Sequence, residues 1–210
     1  MGSRSIDRSY HDPLDLLWIG AAAELGMTVV CSREVFAAWD GAGTLSVAAP
    51  EDRDADDCLA QLVLHEICHA LVEGPEAFRL PDWGLSNRDE RHLVREHACH
   101  RLQATLAGAH GLREFFAVTT EHRPYYDALP ADCLAPGDDP AIEPARAAWR
   151  RARHGPWAEA LDRALRGTAE LARLVTPVAP PDSLWSRVSP GTYHVPADGE
   201  ANATNRRASP

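Results

Sequence analysis

The chain has 210 residues, 45% hydrophobic and 25% charged, with a formal net charge of −10. That is the composition of a soluble globular protein with enough apolar residues for a core. The acidic balance argues against nucleic acid as a partner, and no apolar run approaches the length that crosses a bilayer.

Met1–Tyr10 is polar and lacks the apolar stretch of a signal peptide, so the expected location is cytoplasmic. The five cysteines at 31, 58, 68, 99 and 133 are odd in number, spread out and free of C-x-x-C pairs. They are expected to be reduced and mostly buried.

In chain order, Asp12-Pro13 opens a first helix, with Asp as N-cap and Pro at the first position, running to about Gly26. Three short strands are expected at Met27–Cys31, Val35–Trp39 and Thr44–Ala48, the last two joined by a hairpin loop at Asp40–Gly43. A second helix is predicted from Asp54–Asp57, whose carboxylates suit its positive end, to Glu73, where Gly74-Pro75 stops it. Asn87 with Glu90 opens a third, from about Asp89 to Ala107. Residues 112–137 read as irregular, broken by Pro124, Pro130 and Pro136, and two further helices are expected near 140–153 and 156–175. The expected organisation is a core at 1–137, a C-terminal helical segment of the same domain at 138–175, and a disordered tail at 176–210.

Chemistry concentrates in Leu62-Val-Leu-His65-Glu66-Ile-Cys-His69-Ala-Leu-Val72. A helix apolar on most sides is a buried helix, and two imidazoles with a carboxylate inside it need partners. A metal ion satisfies them together. Four residues apart, His65 and His69 leave one helix face and reach a common point. Glu66, turned by about 100°, reaches a metal-bound water without displacing a ligand. This is the H-E-x-x-H pattern of zinc peptidase helices.

A catalytic zinc usually has three protein ligands and an open position. The continuation Ala70-Leu-Val-Glu-Gly-Pro75 lacks the Gly and His of the H-x-x-G-x-x-H extension, so the third ligand must come from elsewhere. Glu96 is the preferred candidate, 27 residues after His69 on a helix able to pack antiparallel to the first; His97 and His100 are the alternatives. His92 and His100 lie one turn to either side of Glu96, on its face, as possible outer donors. Cys68 and Cys99 are expected to approach each other if the two helices pack this way.

His65, His69 and Glu96 together resemble the gluzincin metallopeptidases over residues 27–110. The resemblance implies an α+β, zincin-like fold: a small antiparallel sheet packed on the H-E-x-x-H helix and a second ligand helix, with C-terminal helices added. It implies a Zn2+-dependent hydrolase of peptide or protein substrates, with Glu66 as base and then proton donor. An oxyanion stabiliser is implied too; Tyr126 is chosen, with Tyr125 and His122 as the other candidates. A second resemblance is to the elongation factor P hydroxylase family, through His65-Glu-Ile-Cys-His69, Gly74, Asp82-Trp83-Gly84, and Glu96 with Gln103. It implies Fe2+ and a protein hydroxylase, since two histidines and one carboxylate also serve iron oxygenases. A metal-binding protein without catalysis is the third reading.

Overall fold

The computed structural model describes residues 7–85 and 90–188. The Asn87 cap and the stretch 189–210 of the expected disordered tail lie outside them.

Helix α1 (Pro13–Glu24) starts where Asp12 Oδ1 accepts the Leu14 N–H at 2.8 Å. Its buried face carries Leu14, Trp18, Ala21 and Ala22. Gly26, at φ 82°, turns the chain into the first strand. Strands β1 (Thr28–Ser32), β2 (Ala37–Trp39) and β3 (Thr44–Ala48) form one sheet in the order β1-β3-β2. The β2–β3 hairpin is antiparallel, pairing Trp39 with Leu45. Asp40 Oδ1 closes its loop by accepting from the Ala42 and Thr44 N–H groups.

The expected all-antiparallel sheet is corrected in one respect: β1 runs parallel to β3, pairing Val29 with Leu45. Burial explains the placement. Leu45 and Val47 are fully buried, so β3 takes the centre, while the largely exposed β1 takes an edge. The chain therefore crosses from β1 to the far side of β3 before the hairpin returns.

Helix α2 (Leu59–Glu73) begins later than the acidic run predicts. Asp54–Asp57 closes a turn on itself, and the Cys58 N–H instead donates to Gln61 Oε1 at 2.7 Å. Thirteen of its fifteen residues are buried. The exit is at Gly74, with φ 88°, and Pro75. Carbonyls of the last turn are met by guanidinium groups: Arg151 donates to Leu71 O and Arg95 to Val72 O.

Helix α3 (Glu90–Gly108) packs antiparallel on α2, as contacts between 65 and 103, 69 and 99, and 72 and 95 show. After a one-turn helix α4 (Arg123–Asp127) come α5 (Ile142–Ala152) and α6 (Gly155–Val175). Ala141, Ala145, Ala148 and Ala152 give α5 a small-residue face against α2 and α3. Helix α6 lies on α1, pinned by the bond from Trp18 Nε1 to Thr168 Oγ1 at 3.0 Å.

Residues 176–188, expected as the start of the tail, instead fold back as two short 3-10 turns. Trp185 supplies the apolar anchor, its ring 4.6 Å from that of Phe115. The architecture is thus α+β, a small mixed sheet on a helical body. No helix among the described residues is long and apolar enough to cross a membrane.

Candidate metal centre

The α2–α3 packing brings three of the predicted site residues together. His65 Nε2 and His69 Nε2 are 3.0 Å apart. Glu96 places Oε1 3.3 Å from His65 Nε2 and Oε2 3.2 Å from His69 Nε2. His100 joins them, its Nε2 3.0 Å from Glu96 Oε1. His97 does not: its ring stacks on Tyr125 at 3.6 Å.

The opposite ring nitrogens define what these atoms offer. Gln103 Nε2 donates to the Phe116 carbonyl at 2.6 Å, which fixes the amide and turns Oε1 toward His65 Nδ1 at 3.1 Å. An amide oxygen only accepts, so His65 carries a proton on Nδ1 and presents Nε2 to Glu96. His69 Nδ1 faces the buried thiol of Cys99 at 3.1 Å. Ring nitrogens of His65 and His69 and both oxygens of Glu96 thus lie within 3.3 Å of a neighbour in the set, a group of residues able to hold a metal ion.

The electrostatics show that the site favours positive charge. Burial works against a charged His65, yet the adjacent Glu96 carboxylate outweighs it and raises the ring to about 9. For Glu96, burial would favour the neutral acid, but the three surrounding imidazoles hold it well below the usual carboxylate range. His100 is pushed down to about 4, chiefly by burial. The thiols of Cys68 and Cys99 are driven up by burial and are free.

Glu66 is buried, and a carboxylate oxygen of its own lies within 4.8 Å of ligand nitrogens on both His65 and His69. Its Oε2 accepts the indole N–H of Trp83 at 2.8 Å. That tryptophan is held at φ 58° beside Asp82 at φ 48°, a left-handed turn that non-glycine residues rarely adopt. The turn persists because Trp83 stacks on Trp39 of β2 at 4.7 Å and Asp82 Oδ1 accepts the Trp39 N–H. The sheet therefore reaches the site through Trp39 and Trp83. Gly41 seats the same loop: a side chain there would meet the backbone of Leu80 and Pro81 at 2.9 Å.

The expected oxyanion residue lies beside the cluster, its ring 6.5 Å from that of His100, with its hydroxyl engaged elsewhere. Tyr126 is 1% exposed and its hydroxyl donates to the Arg113 carbonyl at 2.9 Å, within a small apolar cluster with Leu129 and Cys133. Two adjacent aromatics anchor the loop instead, since Tyr125 is also committed, to Asp139 and Arg101. Of the three candidates named from sequence, His122 comes nearest, its ring 5.4 Å from that of His100. Tyr126→Phe is accordingly expected to cost about 1 kcal/mol in urea unfolding and to leave hydrolytic turnover unchanged. A fall in kcat of about 10²-fold or more would return Tyr126 to the site as oxyanion stabiliser.

A shallow cleft lies beside His65, His100 and Gln103, with Asp57 and Gln61 also on its wall. Phe36, Leu62, Ala117 and Val118 make its walls apolar, with Thr119 and Thr120 also in the lining.

Sequence reasoning did not assign a role to Trp83, Gln103 or the His69 contact of Cys99. The available signal was periodicity: Cys99 and Gln103 follow Glu96 on α3 at positions that turn toward α2. Gln103→Leu should weaken metal binding by about 10–100-fold, measured by competition with a chromogenic chelator. Unchanged affinity would mean that the amide does not orient His65.

No family model, curated protein or solved structure matches this chain. The functional reading rests on the α+β fold and the chemistry of this centre.

Proposed function

We propose that the protein is a metal-dependent hydrolase of zincin-like design, acting on peptide or protein substrates, with Zn2+ held by His65, His69 and Glu96. The observation that carries the reading is the convergence of those three side chains within 3.0–3.3 Å, beside a buried Glu66. When bound, the ion supplies Lewis acidity to a carbonyl and acidifies a water.

The chain's own residues do the rest. Gln103 and Cys99 hold the two imidazoles by their outer nitrogens. Trp83 occupies Oε2 of Glu66, which leaves Oε1 to take a proton from the attacking water and return it to the leaving amine. The apolar walls of the cleft receive a side chain of the substrate and exclude bulk water from the reacting carbonyl.

The test is a peptide-library screen with the zinc-loaded protein. Cleavage is expected, abolished by a chelator and restored by zinc. A second reading, a non-haem iron protein hydroxylase, is supported by the same ligand set, two histidines and one carboxylate, which iron oxygenases also use. Oxygen consumption by the iron-loaded protein, with no cleavage by the zinc-loaded one, would select it.

A further inference from the structure

We propose that His100 is a fourth protein ligand, so that three imidazoles and one carboxylate share a single ion of coordination number five or six. The proposal rests on the metal centre above and not on the hydrolytic reaction.

His100 follows Glu96 by one turn of α3, which carries its ring to the same side of the helix. It is fully buried. Among the described residues, neither of its ring nitrogens makes a hydrogen bond. Nε2 stands 3.0 Å from Glu96 Oε1 as an ion-pair contact. A residue serving only to hold the carboxylate would point an N–H along that line. A ligand would instead aim its lone pair at the point that Glu96 and the His65 ring also face. His65 and His100 ring centres are 5.6 Å apart, and His65, Glu96 and His100 offer ligand atoms within 4.8 Å of one another.

The spacing of the donors fits this crowding. Metal–ligand bonds of about 2.1 Å put neighbouring donors about 3.0 Å apart at a right angle and about 3.4 Å apart in a tetrahedron. The His65–His69 and His100–Oε1 separations are 3.0 Å, His65 lies 3.3 Å from the same oxygen, and His69 meets Glu96 through Oε2 at 3.2 Å, so the carboxylate offers both oxygens to the cluster. Four protein donors would close a tetrahedral site. An open position beside them requires a larger coordination number, which iron(II), manganese(II) and cobalt(II) adopt readily and zinc adopts on expansion to five.

The test uses the full chain loaded with cobalt(II), whose visible absorption is intense in four-coordinate sites and weak in six-coordinate ones. X-ray absorption on the same wild-type sample counts the imidazoles. The expected results are weak absorption and three imidazoles in the wild type. In His100→Ala, absorption should intensify as the ion drops to four-coordination, and affinity should fall at least about tenfold. Affinity alone would not separate a ligand from an outer donor; the spectrum does. If His100→Ala fails to fold, the wild-type imidazole count still decides. Intense wild-type absorption, unchanged in the variant, with two imidazoles, would overturn the proposal and leave the His65–His69–Glu96 centre standing. Absence of cobalt binding, or full binding by His65→Ala, would overturn the centre itself and the proposal with it.

Discussion

Glu66→Gln is expected to bind its metal with undiminished affinity and to lose about 10²–10⁴-fold in hydrolytic turnover. The amide keeps an oxygen for the Trp83 indole N–H, so the Trp39–Trp83 stack and the loop that carries it should persist. The amide cannot take a proton at pH 7, so the attacking water loses its base. Calorimetry on the metal-free protein gives the affinity, and kcat on a cleaved peptide gives the turnover. Wild-type turnover in the variant would sink the role of general base. A lost affinity would place Glu66 among the ligands instead of beside them.

Glu96→Ala should have the largest effect on binding. It removes the carboxylate whose oxygens lie 3.3 Å from His65 and 3.2 Å from His69, and with it the negative charge that would balance a cation there. The loss should exceed the roughly 10–100-fold typical of outer-shell changes. It should also exceed that of His100→Ala, because Glu96 presents both oxygens to the cluster and His100 one nitrogen. Calorimetric titration of the two metal-free variants checks the order. The reverse order would make His100, with His65 and His69, the principal ligand set.

Local signals in the chain were enough for the body of α2, its motif and its C-terminal stop. A nearly all-apolar segment, interrupted by His65, Glu66 and His69 and stopped by Gly74-Pro75, admits one reading as a buried helix with a polar site. The hairpin at Asp40–Gly43 was equally local, because the turn carries its own hydrogen bonds. The parallel pairing of β1 was not legible. It depends on β3 being the strand most deeply buried, which is set by helices distant in sequence.

The start of α2 was misplaced for a related reason. Asp54–Asp57 suits a helix N-terminus by charge, but Gln61 supplies the cap from inside the helix. Tyr126 carries no local mark to tell a loop anchor from a catalytic hydroxyl; the Arg113 carbonyl decides it. Trp83 was visible only as part of a turn. Its link to Glu66 arises from a strained backbone and a stack on a strand more than forty residues earlier.

The most direct test of the metal centre is elemental mass spectrometry of the protein purified without added metal and without oxygen. The account predicts about one first-row metal ion per chain, zinc for the hydrolase and iron for the hydroxylase, and its loss in Glu96→Ala. A wild-type protein that holds neither, even after incubation with zinc or iron(II), would contradict it.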